Sequence, residues 1–80
     1  MVRVLTSPPF SVHVYDESGA PHHLAHCQVR WAGRSTQVAL PSLEVIVGTE
    51  LPRRARSLLE EHLGEIVAEW NRLNPGRAVW

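Results

Sequence analysis

The 80-residue chain contains no lysine, a single cysteine and no long apolar run. Because Cys27 has no second cysteine to pair with, an intramolecular disulfide is excluded. No apolar segment approaches the roughly 20 residues that a membrane span requires. The first residues also lack the charged and then apolar pattern of a secretory signal. We therefore expect no membrane association and a cytoplasmic location.

The chain also lacks net charge. Its eight basic residues, all of them arginine, balance eight acidic residues. A neutral chain has no overall electrostatic attraction to nucleic acid or to anionic lipid. Binding of nucleic acid would need a local basic patch, so the composition does not favour nucleic acid as a partner.

The remaining composition predicts one small folded domain over residues 1–80. Hydrophobic residues make up 44% of the chain, which is far from the composition of disordered segments. A domain of this size buries only about 60% of the surface that its unfolded chain exposes. Its stability is then marginal, and a homodimer contact or a protein partner would increase it.

Alternation of polar and apolar residues predicts an antiparallel sheet. Phe10, Val12 and Val14 fall on one face of a strand over residues 10–15. Residues 27–31 and 36–40 alternate on either side of Ala32-Gly33, which predicts a β-hairpin. Further strands are predicted over residues 2–5 and 43–47. Together these segments give a β-meander of three to five strands.

The last part of the chain predicts one long helix. Pro52 suits a first helical position, and Asn74-Pro75-Gly76 is a stop signal. Between them lies an apolar stripe with helical spacing: Leu59, Leu63, Ile66, Trp70 and Leu73.

Such a stripe must be buried, and the large apolar partner available to it is one face of the sheet. The predicted fold is therefore α+β, with an antiparallel β-meander packed on one long C-terminal α-helix. The expected sheet residues of the core are Phe10, Val12, Val14, Val29, Trp31, Val38, Val45 and Val47.

Three stretches also support a resemblance to a known family: AHCQVRW, SLEVIVGTELPRRA and EEHLGEIVAEWNRLNP. The segment that they span, from the Pro21 region through Asn74-Pro75, is about two thirds of the chain, and it resembles the uncharacterised bacterial family called domain of unknown function 4160. The resemblance implies a small bacterial protein encoded beside a second small protein, in two-gene units of the toxin-antitoxin kind. It implies no established reaction.

The histidine-rich motif of that family is matched here only in part. His26, Cys27 and Trp31 stand at matching positions. Ala25 stands where proline is usual in the family, and Gln28 stands where a second histidine is usual. A role that needs both histidines is therefore not implied for this chain.

Residues 22–27 are the candidate metal site. His22, His23 and His26, together with Cys27, offer nitrogen and sulfur donors that suit zinc. With zinc bound, the protein would be a metal-dependent hydrolase acting on nucleic acid. However, the spacing lacks the paired ligands of structural zinc sites, and no second cluster follows. The other interpretation is a loop whose histidines cap turns or face water.

Strand alternation places Cys27 on the same face as Val29 and Trp31. This parity predicts a buried thiol that acts as a small apolar side chain rather than as a nucleophile.

Arg53, Arg54 and Arg56 form a candidate anion site at the start of the predicted helix. Free backbone N–H groups at a helix N-terminus attract anions, so these arginines could hold a phosphate or carboxylate of a partner. The alternative is a hydrated helix end with Glu50 as its counter-ion.

The sheet face turned away from the helix is polar and is the candidate partner-binding surface: His13, Tyr15, Gln28 and Arg30. The alternative is a polar face that is simply hydrated. The first functional interpretation is thus a small non-enzymatic protein-interaction or regulatory module, one component of a toxin-antitoxin-like unit, that needs no cofactor. The alternative is the metal-dependent enzyme.

Overall fold

The computed structural model describes residues 2–15 and 25–79, which form an α+β fold. A five-stranded antiparallel sheet precedes the helices: β1 (Val2–Ser7), β2 (Phe10–Val14), β3 (His26–Trp31), β4 (Arg34–Ala39) and β5 (Val45–Gly48). Each strand pairs with its neighbours in the chain, in the order β1-β2-β3-β4-β5. The predicted antiparallel meander is confirmed.

Strands β3 and β4 form the predicted hairpin. Their connection is the dipeptide Ala32-Gly33, and both residues have positive φ, 47° and 74° respectively. Positive φ at both positions is the geometry of the type I′ turn, which matches the twist of the two flanking strands. The resulting register pairs Cys27 with Val38, and both side chains are fully buried.

The core lies between the sheet and the helical segment. Helices α1 (Arg53–Glu61) and α2 (Leu63–Leu73) are followed by a short 3₁₀ helix (Pro75–Arg77). Helix α2 packs on β1, β2 and β3. From the predicted stripe, Leu59, Ile66 and Trp70 are at most 1% exposed. Burial of each such side chain stabilises the fold by about 1.5–3 kcal/mol.

The prediction of one long helix was wrong, because the helix is broken at His62. This residue has φ −111° and ψ 18°, and it separates α1 from α2. Gly64 follows two residues later, and glycine is a poor helix former that accompanies many kinks. His62 N–H still bonds to the carbonyl of Leu58, and Ile66 N–H bonds to that of His62, so the break is local. No helix in residues 2–15 and 25–79 is long and apolar enough to cross a membrane.

Strand β5 lies outside the part of the sheet that the helices cover. Its side chains Val45, Ile46 and Val47 are 38%, 39% and 60% exposed. The expectation that Val45 and Val47 belong to the core was therefore wrong. The alternation fails here because Ile46 is an extra residue in the register: Val45 pairs with the buried Val38, whereas Val47 pairs with Gln37 on the opposite face. Leu43 and Leu51, on either side of β5, are buried instead.

Both edge strands contain a β-bulge. The extra residue is Val4 on β1 and Ile46 on β5. A bulge interrupts the row of backbone hydrogen-bonding groups and increases the local twist of the strand. As a result, neither edge of the sheet offers a regular ladder to another strand.

Candidate functional site

The outer face of the sheet, which points away from the helices, carries the predicted partner-binding residues. Paired residues of antiparallel strands project to the same face. One row of such pairs crosses all five strands: Arg3, His13, Gln28, Gln37 and Val47. The outer face is therefore a single surface that extends from β1 to β5.

The structure brings the four predicted partner-binding residues together on this face. The hydroxyl of Tyr15 donates a hydrogen bond to Oε1 of Gln28, and both residues are half-buried. Arg30 is exposed on the neighbouring part of β3. His13, in contrast, is only 8% exposed. Arg30 is thus the most accessible of the four residues, and His13 is the least accessible.

The imidazole of His13 is held close to Ser11. Its Nε2 lies 3.0 Å from Ser11 Oγ, while its buried Nδ1 has no hydrogen-bond partner among the described residues. Burial and the nearby charges of Arg30 and Arg3 lower the pKa of His13 from its usual value of 6.5. At pH 7 the ring is therefore neutral, with one nitrogen protonated.

A cavity beside Ser11 was not predicted from the sequence. This turn pocket has a volume of about 490 Å³, and its lining residues are Pro9, Ser11, Arg30, Trp31, Ala32, Gly33, Arg34 and Ser35. Of these, Arg30 pairs with Ser11 on β2 and with Ser35 on β4. The sequence feature that could have indicated this pocket is the pair of arginines on either side of the Ala32-Gly33 turn. The two serines lie near them only because of the strand register, which the sequence alone does not give.

The three arginines of the predicted anion site are divided by the structure. Arg53 and Arg54 are exposed at the start of α1 and line a second cavity of about 340 Å³. The guanidinium carbon of Arg54 lies 6.0 Å from the centroid of the Phe10 ring, a cation–π geometry. Arg56 is half-buried and does not line that cavity. The anion site at this helix end stays a prediction.

The histidine-rich segment is only partly within the described residues. His22 and His23 lie outside them. His26 is 3% exposed, and its ring centroid lies 5.5 Å from that of Trp70 on α2. Within residues 2–15 and 25–79, no three His, Cys, Asp or Glu side chains are grouped so that they could hold a metal ion. A zinc site built from His22, His23 and His26 stays a prediction.

Cys27 is fully buried, as the alternation predicted. Burial raises the pKa of its thiol to about 12. Since the thiolate is the nucleophilic form of cysteine, this side chain is not reactive at neutral pH. Its contribution is to the packing of the core.

Comparison with known proteins gives no match: no protein-family model, no curated protein and no solved structure matches the chain. We therefore infer the function from the side chains of the outer face, the turn pocket and β5.

Proposed function

We propose that the protein is a non-enzymatic protein-interaction module. The observation that carries this proposal is the β5 patch, formed by Val45, Ile46 and Val47. Each of these apolar side chains is at least 38% exposed on an edge strand. Val47 pairs with Gln37 on the outer face and Val45 pairs with the buried Val38 on the other face, so the patch wraps around the edge of the sheet. Single exposed apolar residues are common on protein surfaces, whereas contiguous apolar patches mark sites of interaction.

The partner docks through side chains rather than by adding a strand to the sheet. Addition of a strand needs a regular row of free N–H and C=O groups along the edge. On β5 that row is short, contains a bulge at Ile46 and ends at Gly48, which has a φ of 109°. The exposed groups that remain for recognition are the apolar side chains of the β5 patch.

The β5 patch also continues into the predicted partner-binding surface. Val47 pairs with Gln37, and Gln37 pairs with Gln28, so all three belong to the outer face. Tyr15 and Arg30 lie on the same face, and these residue types are enriched in binding hot spots. An apolar centre with a polar margin is the usual composition of a protein interface.

The partner we propose is a second small protein encoded beside this one. This part of the proposal rests on the sequence resemblance to family 4160, whose members occur in two-gene units of the toxin-antitoxin kind. A second copy of the chain is the other possible partner. The two can be separated by measurements on purified protein.

The test is sedimentation velocity of the chain alone and together with the product of each adjacent gene. We expect a complex whose affinity falls at least about tenfold in Val47→Asp, because a carboxylate would be buried at the contact without a partner. Ala68→Asp is the matched control. It introduces the same charge at an exposed position of α2, on the side of the sheet opposite the outer face, and should leave the affinity unchanged.

Association that is equally strong in wild type and Val47→Asp would show that the β5 patch is not the docking surface. A chain that stays monomeric alone and binds neither neighbouring product would contradict the interaction-module proposal. Circular dichroism of each variant shows that the fold is intact.

A further inference from the structure

The turn pocket has the size of a small-molecule site. Its volume of about 490 Å³ lies within the range of roughly 300–1,000 Å³ that is usual for ligand pockets. It lies where the Ala32-Gly33 turn and the Pro9 segment approach each other at one end of the sheet. The pocket does not include the β5 patch, but it shares Arg30 with the polar margin of the proposed interface, so ligand binding is tested on the chain alone.

The pocket contains two positive charges and no negative charge. Arg30 and Arg34 both line it, and none of its lining residues is acidic. Within the described part of the chain, neither guanidinium has a carboxylate within salt-bridge distance. The two cations therefore have no counter-ion from the described residues, although the chain as a whole is neutral.

Two hydroxyl groups lie beside Arg30. Ser11, Arg30 and Ser35 are consecutive partners across β2, β3 and β4, so their side chains project side by side on the outer face. Facing residues in such a row are about 5 Å apart. The two serine hydroxyls therefore flank Arg30 on opposite sides, and both line the turn pocket.

His13 fixes the role of the Ser11 hydroxyl. The imidazole is neutral, and its buried Nδ1 has no acceptor among the described residues. A proton on Nδ1 would be a buried donor without a partner, whereas a proton on Nε2 can be donated to Ser11 Oγ, 3.0 Å away. With Nε2–H as donor, the hydroxyl hydrogen of Ser11 is free to point into the pocket. Ser11 is then a hydrogen-bond donor for a ligand, and His13 is its positioning residue.

We propose that the turn pocket binds the phosphate group of a small phosphorylated ligand. Two guanidiniums and two hydroxyls supply more donors than one carboxylate can accept, and they match a dianion with three terminal oxygens. The total volume of about 490 Å³ is larger than a phosphate ion needs, so the pocket has room for a phosphate ester. Free phosphate and a phosphate ester share this recognition chemistry.

The test is a titration of ¹⁵N-labelled protein with sodium phosphate, with adenosine monophosphate and with a short oligodeoxythymidine, at constant ionic strength in sodium chloride. We expect saturable one-to-one binding of phosphate and of the monophosphate, with amide shifts centred on Ser11, Gly33 and Arg34. Tighter binding of the monophosphate than of phosphate identifies an ester as the ligand. The reverse order identifies free phosphate.

Arg34→Gln should weaken binding of both ligands by at least about tenfold, because a charge-assisted contact is removed. Ser11→Ala should weaken it less. Arg72→Gln is the matched control, because it makes the same charge change at an exposed site on α2, where Arg72 pairs with Glu69. It should leave the affinity unchanged.

Three results would overturn the phosphate site. The first is the absence of saturable shifts with both phosphate and the monophosphate. The second is binding of the oligonucleotide alone. The third is an equal loss of affinity in Arg34→Gln and Arg72→Gln, which would show that only net charge matters.

Discussion

Gly48 packs directly against the backbone of β4. A Cβ atom at this position would lie 2.5 Å from the carbonyl oxygen of Ser35 and 2.9 Å from Cα of Thr36. Its φ of 109° is also one that only glycine adopts without strain. Thr36 completes the contact, because its hydroxyl donates a hydrogen bond to the carbonyl of Thr49. The end of β5 is thus held against β4 by close backbone packing.

Gly48→Ala should lower the free energy of unfolding by about 2 kcal/mol or more. The added Cβ clashes with the backbone of β4, and alanine is strained at this positive φ. Gly64→Ala is the matched control. No atom lies within 4 Å of its added Cβ, and it sits within α2, so it should raise stability by roughly 0.5–1 kcal/mol. Urea unfolding followed by circular dichroism measures both changes. Equal effects of the two substitutions would contradict the role of Gly48.

At the level of secondary structure elements, Asn74 joins the end of α2 to the end of β2. Its side-chain amide donates hydrogen bonds to the carbonyls of Tyr15, at 2.9 Å, and of Trp70, at 3.2 Å. The residue is only 2% exposed. The sequence identified Asn74-Pro75-Gly76 as a helix stop, but a stop signal carries no information about a contact with a strand 59 residues earlier.

Asn74→Ala should lower the free energy of unfolding by about 1–3 kcal/mol, because the Tyr15 carbonyl loses its side-chain donor, whereas the Trp70 carbonyl keeps the backbone N–H of residue 74. Asn71→Ala is the matched comparison. It also removes two hydrogen bonds, both to Val79, but from a half-buried side chain, so its effect should be smaller. The measurement is again urea unfolding. If Asn71→Ala lowered the free energy of unfolding as much as Asn74→Ala, burial would not determine the size of the effect.

Much of the arrangement of elements could be predicted from the sequence. The alternation in residues 10–14, the hairpin around Ala32-Gly33 and the buried stripe of Leu59, Ile66 and Trp70 are all local patterns, and the structure confirms them. The helix break at His62 could not be predicted from the stripe, because the apolar spacing continues through the break. The exposure of β5 depends on where the helices end, which no local pattern records.

The candidate sites show the same division. Tyr15, Gln28 and Arg30 were grouped from strand parity, and the structure places them on one face. The turn pocket was missed because Ser11 reaches Arg30 through the pairing of β2 with β3, and that register depends on the whole sheet. Strand parity assigns residues to a face of the sheet, whereas the neighbours of a residue within that face depend on the register of the strands.

For the whole molecule, the buried neutral His13 predicts a dependence of stability on pH. Its pKa in the folded state is below the usual 6.5 because of burial and the charges of Arg30 and Arg3. Between the two pKa values the unfolded chain binds more protons, so acidification favours unfolding. The free energy of unfolding should therefore fall as the pH decreases from about 6.5, and level off below the folded-state pKa.

The measurement is urea unfolding between pH 8 and pH 5 for wild type and for His13→Gln, which has no titrating ring. The wild type should lose stability relative to the variant as the pH falls through this window. Parallel curves for the two proteins would show that His13 does not carry the pH dependence.

The bulges at Val4 and Ile46 interrupt both edges of the sheet. A protein whose edges are regular can recruit further strands without limit, and fibres grow in that way. Here each end of the sheet is closed to such growth, although three apolar side chains of β5 are exposed to solvent. Under the proposed function, contacts through those side chains occupy the β5 patch itself, so binding a partner leaves no free strand edge for a further subunit.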